Sequence, residues 1–259
     1  MLTLFVIMLV LFVIATPVAW SMAAAATVYM AFGSHVPLQG MVQRMIGGID
    51  TFPLLAIPYF ILAGNLMNTG GITDRLVTFA RVTVGHITGG LAHAVVVTNM
   101  IMAGMSGSGV ADAAGSGTIL IPAMKKAGFS TPFSAAIVAA SGCVGPIIPP
   151  SIPFVLFGSI ASVSIGRLLL GGGVPGFIIG IVLMAFAYVI AKRLAYPSEP
   201  QATCGQLTRA FIHAIPPMGM PLIILGGIIG GVMTPTEAAA GGAAYAFVLG
   251  FFVYREIKP

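Results

Sequence analysis

The stretch Gly104-Met-Ser-Gly-Ser-Gly-Val-Ala-Asp-Ala-Ala-Gly-Ser-Gly117 decides how this chain is read. It is small, polar and glycine-rich, yet it lies between two apolar runs, Leu91 to Ala103 and Thr118 to Met124. In hydrocarbon, each backbone group left without an internal hydrogen bond costs on the order of several kcal/mol. Such a break survives only where it is buried in protein or lines a wet cavity, so the stretch reads as a site.

The surroundings justify the assumption of hydrocarbon. Of 259 residues, 58% are hydrophobic and 7% charged, and the mean hydropathy is +1.06. That is the composition of a chain dissolved in a lipid bilayer. The net charge of +5 comes from 11 Lys and Arg against 6 acids scattered through short loops. With no basic block, nucleic acid is not expected as a partner. Cys143 and Cys204 form neither a metal-ligand spacing nor a disulfide framework. Met1 leads directly into Leu-Thr-Leu-Phe-Val without a basic region, so the first helix is expected to be retained rather than cleaved.

The fold class expected is all-α: a polytopic membrane protein with a re-entrant hairpin and a broken transmembrane helix. Residues 1–70 read as scaffold-type helices, with Leu2 to Phe32 split in two at Thr16-Pro17 and Ser34 to Asp50 as a loop. Residues 71–88 hold an amphipathic interfacial helix capped by Thr73, with Leu76, Val77, Phe79, Ala80 and Val84 set against Arg75 and Arg81. The hairpin occupies 89–126. A broken helix follows over 130–165, interrupted at Ser141-Gly-Cys-Val-Gly-Pro-Ile-Ile-Pro-Pro-Ser151, where prolines lack amide hydrogens. A span over 166–193, a cytoplasmic loop over 194–214 and two closing spans over 215–259 complete the chain.

The basic residues orient this layout, because Lys and Arg near helix ends favour the cytoplasm. With Lys192, Arg193 and Arg209 inside, Arg255 and Lys258 fall inside, Arg167 falls outside, and Lys125 and Lys126 fall inside. Arg75 and Arg81 also favour the inside, so the run between them enters and leaves on one side with its polar break as the tip. Arg44 then lies outside as an exception. Met1 lies outside if the first stretch is two helices and inside if it is one. Ala15-Thr-Pro-Val-Ala-Trp-Ser-Met-Ala-Ala-Ala25 resembles Met233-Thr-Pro-Thr-Glu-Ala-Ala-Ala-Gly241 in the opposite orientation, the mark of inverted repeats. On that reading the chain holds one repeat and the truncated start of a second, and is expected not to transport alone.

Side by side, a hairpin tip and an unwound helix offer carbonyl and hydroxyl oxygens suited to an alkali cation, and helix N-termini suited to an anion. The sodium ligands expected are Ser106, Ser108, Gly142, Gly145, Pro146 and Asp112. The substrate contacts expected are Ser106, Gly107, Ser108, Gly109, Pro149, Pro150 and Ser151. Asp112 has three readings: a sodium ligand, a proton shuttle, or a cap of the second hairpin helix. Glu237 fits a capping box with Thr234 and reads as structural. His86 and His93 read as interfacial residues rather than metal ligands. The alternative from another class is an intramembrane serine protease with Ser106 as nucleophile, which requires His93 or His213 as its base.

Further motifs accompany the two breaks: Ala56-Ile-Pro-Tyr-Phe-Ile-Leu-Ala-Gly64, Val84-Gly-His86 with Gly89-Gly-Leu-Ala92, Ala111-Asp-Ala-Ala-Gly115, Ile147-Ile-Pro-Pro-Ser151 and Thr234-Pro-Thr-Glu-Ala-Ala239. Together they resemble the large membrane subunit of tripartite ATP-independent periplasmic (TRAP) transporters along nearly the whole chain. The resemblance implies a non-enzymatic, sodium-coupled elevator importer in a bacterial inner membrane, with sodium as coupling ion and no organic cofactor. It also implies three partners: a small membrane subunit, a periplasmic solute-binding protein, and an organic-anion substrate such as a C4-dicarboxylate or sialic acid. Family members carry a second full repeat that this sequence does not contain.

Overall fold

The computed structural model describes residues 2–33 and 38–257. Expectations for Met1, for Ser34 to Pro37 and for Lys258 lie outside the described residues. Among those described, every regular element is helical, and four helical segments are long and apolar enough to cross a membrane: Phe52–Thr69, Ile165–Arg193, Cys204–Ile229 and Pro235–Val253.

The chain divides into two compact units at Thr51. The first contains α1 (Leu2–Val13), α2 (Val18–Gly33) and α3 (Leu38–Ile49). The break expected at Thr16-Pro17 falls between α1 and α2. The loop expected over Ser34 to Asp50 is mostly helix α3 instead. Its Met41, Val42, Met45, Ile46 and Ile49 recur at three- and four-residue intervals, an amphipathic stripe that outweighs Gly47 and Gly48.

The second unit begins with a 3-10 turn, Phe52–Leu55, leading into α4 (Ala56–Thr69). Next is α5 (Ile72–Val84), which starts at the left-handed Gly71, while Thr73 donates instead to Asn68 Oδ1 at 2.8 Å. The buried face of α5, formed by Ile72, Leu76, Val77 and Ala80, is covered by protein. Leu76 joins a core with Phe60, Met67 and Met102, and Val77 joins a second core with Leu91, Val95, Leu120 and Met124. Its basic face is tied down as well. Arg75 pairs with Glu256 at 2.9 Å and stacks on Tyr254, and Arg81 pairs with Glu199 at 2.5 Å.

The hairpin is α6 (Gly90–Ser106) and α7 (Gly109–Lys126). Helix α8 (Thr131–Gly142) then ends at the proline-rich segment, and α9 (Ile152–Ala161) resumes after it. The remaining helices are α10 (Ile165–Arg193), α11 (Cys204–Ile229) and α12 (Pro235–Val248), the last running into a single π-helical turn over Leu249–Val253. The loop expected over 194–214 is shorter than its composition suggests. Thr203 and Gln206 form a capping box that starts α11 at Cys204, inside the expected loop. Thr234 and Glu237 form a second box, with Glu237 Oε2 accepting from the Thr234 amide at 2.7 Å, so Glu237 is a capping residue.

Candidate functional site

The hairpin tip meets the broken helix at backbone distance. Gly107 ends α6 with φ +62, a left-handed conformation that costs glycine little, and the chain reverses there. Its carbonyl accepts from the Ile152 amide at 3.4 Å, and a Cβ at Gly107 would stand 2.7 Å from the Pro150 carbonyl oxygen. Two residues on, a Cβ at Gly109 would overlap the Gly142 carbonyl oxygen. One at Gly142 would lie 2.8 Å from Ala113 Cβ, and one at Gly145 would lie 2.6 Å from Asp112 Oδ2. Four glycines, two from each break, therefore interlock where no further Cβ fits.

Two hydroxyls shape the ends of this contact. Ser108 caps α7 by accepting from the Ala111 amide at 3.4 Å. Ser151 caps α9 by accepting from the Phe154 amide at 3.3 Å, and its hydroxyl donates to the Pro146 carbonyl. Since Ser108 takes the cap, Asp112 does not. Asp112 is completely buried, and its Oδ1 accepts from the Ser106 hydroxyl at 2.5 Å. Ser106 Oγ in turn accepts from the Ser108 amide at 3.1 Å. The second carboxylate oxygen, Oδ2, has no hydrogen-bond partner among the described residues and faces Gly145. A buried carboxylate oxygen left unpaired is costly unless a proton or a cation completes it.

The expected residues fall into three groups. Ser106, Asp112 and Gly145 form the buried oxygen cluster. Gly107, Ser108, Gly109, Gly142 and Pro146 line a cavity of about 730 Å³ that is mostly apolar and also includes Cys143 and Ile152. Pro149, Pro150 and Ser151 are buried and do not line that cavity. Pro149 packs instead toward Gly104 and Gly173, and the Ser151 hydroxyl is already engaged on both sides.

The composition of the breaks did not reveal the brace behind them. Asn99 of α6, fully buried, donates through Nδ2 to Ser141 Oγ of α8 at 2.6 Å. An asparagine inside an apolar run was the available signal. Asn99→Leu leaves Ser141 Oγ without its donor and removes the polar tie between hairpin and broken helix. We expect a loss of about 1–3 kcal/mol in stability, read as a lower midpoint in detergent thermal unfolding.

The histidines do not supply a base. The hydrogen bonds of Ser106 go to Asp112 and Ser108, not to an imidazole. His93 is buried on the same helix as Ser106, about 20 Å along the axis at 1.5 Å per residue, with its ring 6.5 Å from that of Tyr188. His86 and His213 are exposed. No cluster of three or more His, Cys, Asp or Glu side chains occurs among the described residues. The geometry gives the protease reading no support.

Residues 5–259 match the family model described as "Tripartite ATP-independent periplasmic transporter, DctM component". The chain is 42% identical over 249 residues to the sialic acid TRAP transporter permease protein SiaT of Haemophilus influenzae, covering 96% of this chain and 40% of that protein. It is 41% identical over 241 residues to the sialic acid TRAP transporter large permease protein SiaM of Vibrio cholerae, covering 93% and 56%. It is 40% identical over 244 residues to the 2,3-diketo-L-gulonate TRAP transporter large permease protein YiaN of Escherichia coli, covering 94% and 57%. The chain thus spans about half the length of the relatives it matches. With the family model covering nearly every residue, and helices apolar enough for a bilayer, the chain belongs to the TRAP transporter large permease, or DctM-component, family.

Proposed function

We propose that this chain forms the first half-site of a sodium-coupled secondary importer of organic anions in a bacterial inner membrane. A periplasmic solute-binding protein delivers the solute, and a small membrane subunit completes the complex. The observation that carries the reading is the Asp112 carboxylate, buried between hairpin tip and broken helix with Oδ2 unpaired. Sodium is a hard cation that takes oxygen ligands, and Ser106 Oγ and Asp112 Oδ2, with backbone carbonyls at Gly142 and Gly145, are the donor types it needs. The N-termini of α7 and α9 approach the cavity through Gly109 and Ile152 and would favour a carboxylate there. Relatives named for sialic acid, for C4-dicarboxylates and for 2,3-diketo-L-gulonate all carry acidic solutes, which supports an organic anion as the class.

An elevator cycle built on inverted repeats fits the same features. Thr-Pro turns open α2 and α12, and the hairpin and break interlock tightly enough to move as one body. The interfacial role read for α5 remains part of this proposal, with its apolar face turned to protein.

Cys143 tests the reading directly, because it is exposed and lines the cavity. In the full-length assembly carrying Cys204→Ser, sodium together with a bound organic anion should slow maleimide labelling of Cys143 by roughly fivefold or more, the low end of typical coupling energies. Equal labelling rates in sodium and potassium would count against the proposal.

A further inference from the structure

The unwound segment between α8 and α9 needs support from outside itself. Its backbone hydrogen bonds are local: the Gly145 amide donates to Gly142, and the Ile147 and Ile148 amides both donate to Val144, at 2.9 and 3.0 Å. Pro146, Pro149 and Pro150 have no amide hydrogen to give. Hydrogen bonds tie only its two ends to the hairpin, Asn99 to Ser141 and the Ile152 amide to the Gly107 carbonyl, and do little to hold the stretch between them against the neighbouring helices.

Helix α10 supplies that support through glycine. A Cβ at Gly172 would overlap the Ile147 carbonyl oxygen and the Phe154 ring. One turn later, a Cβ at Gly176 would lie 2.5 Å from Ile148 Cγ1 and 3.2 Å from the Ile148 amide nitrogen. Both glycines are buried. Gly171, their neighbour, is exposed and has open space at the same position. The segment is thus clamped on two sides, by Gly172 and Gly176 of α10 and by Gly109 of the hairpin, which stands against Gly145.

The geometry points to Gly172 and Gly176 as positioning residues for the Asp112–Gly145 site. They let the backbone of Ile147 and Ile148 rest directly on α10, and through the shared acceptor Val144 this sets where Gly145 stands relative to Asp112. Any side chain at either position pushes the segment toward the hairpin. Sodium as the ion at this site rests on the function proposed above. The steric positioning does not depend on it.

Two readouts keep these claims apart. In full-length assemblies carrying Cys204→Ser, the labelling rate of Cys143 reports the placement of the break whether or not sodium binds. The sodium concentration for half-maximal uptake reports the site itself. Gly176→Ala should change the labelling rate severalfold and raise the half-saturating sodium concentration by about tenfold or more, as a displacement of several tenths of an ångström does to a preorganised site. Gly171→Ala should behave as the parent. Ile148→Ala added to Gly176→Ala removes the closest overlap and should restore most of both readouts. Phe154→Ala added to Gly172→Ala leaves the carbonyl overlap in place and should restore little. If Gly176→Ala does not assemble, the Ile148→Ala/Gly176→Ala pair carries the test, since recovery of assembly with parent-like labelling is the same rescue. The inference is overturned if Gly176→Ala labels like Gly171→Ala, or if the double variant shows no recovery. An altered labelling rate with rescue, in an assembly whose uptake ignores sodium, would uphold the positioning and defeat the sodium reading.

Discussion

Asp112→Asn is expected to abolish sodium-driven uptake while leaving the helix bundle as stable as before or more so. Asparagine has the shape of aspartate and keeps an oxygen for the Ser106 hydroxyl, which Asp112 accepts at 2.5 Å. What it loses is the negative charge and one oxygen at the position of Oδ2, the atom left unpaired beside Gly145. An uncompensated buried carboxylate destabilises the fold, so an amide should relieve that burden. A bound cation, by contrast, loses both its charge partner and a ligand. We expect at least a 100-fold loss of sodium affinity, equivalent to about 2.8 kcal/mol. The opposite signs distinguish a functional carboxylate from a structural one. A variant that is less stable yet keeps its sodium dependence would assign Asp112 to the scaffold.

Gly109→Ala should be nearly as damaging for a different reason. The residue opens α7, where alanine is a better helix former than glycine by about 1 kcal/mol, so local propensity alone predicts a small gain. Its Cβ would run into the Gly142 carbonyl oxygen and stand 2.9 Å from Pro146 Cδ. Neither atom is the mobile end of a flexible side chain, so hairpin and break must separate. Overpacking of this kind costs about 1–3 kcal/mol, and a displacement near 1 Å at a preorganised site costs about 100-fold in rate. Transport measured at equal membrane abundance should fall accordingly. Gly241→Ala, where no atom lies within 4 Å of the added methyl, is the matched control. Comparable uptake by the two variants would mean that the interlocked glycines do not shape the site.

The two breaks were readable because their composition conflicts with their surroundings. Glycine, serine and proline have few reasons to interrupt an apolar run except to free backbone for another use. The same logic recovered the Thr16-Pro17 break and the Glu237 cap. It failed where a pattern has two solutions. Amphipathic spacing in α5 shows that the helix has an apolar face but does not say what covers it, and Leu91, Val95, Leu120 and Met124 do. The stripe in α3 was obscured by Gly47, Gly48 and a lone arginine. Polar composition over 194–214 suggested a loop, although Thr203 and Gln206 together cap a helix that carries those polar residues. Within the site, residue types indicated an oxygen-rich cluster but not its division of labour. Ser108 and Ser151 are consumed as caps, Pro149 turns toward α10, and Asp112 is left with the unpaired oxygen. Those outcomes depend on long-range packing of α8, α9 and α10 against the hairpin, which no local pattern encodes.

The central claim is that the hairpin tip and the broken helix hold a cation that drives the uptake of an organic anion. Its most direct test is uptake of a radiolabelled organic anion, presented with its solute-binding protein, into proteoliposomes containing the full-length assembly. Internal and external sodium, potassium and pH would be set independently. The account predicts accumulation that follows the inward sodium gradient, collapses when potassium replaces sodium, and is absent in Asp112→Asn. Equal accumulation in potassium, or uptake driven by a proton gradient alone, would contradict it.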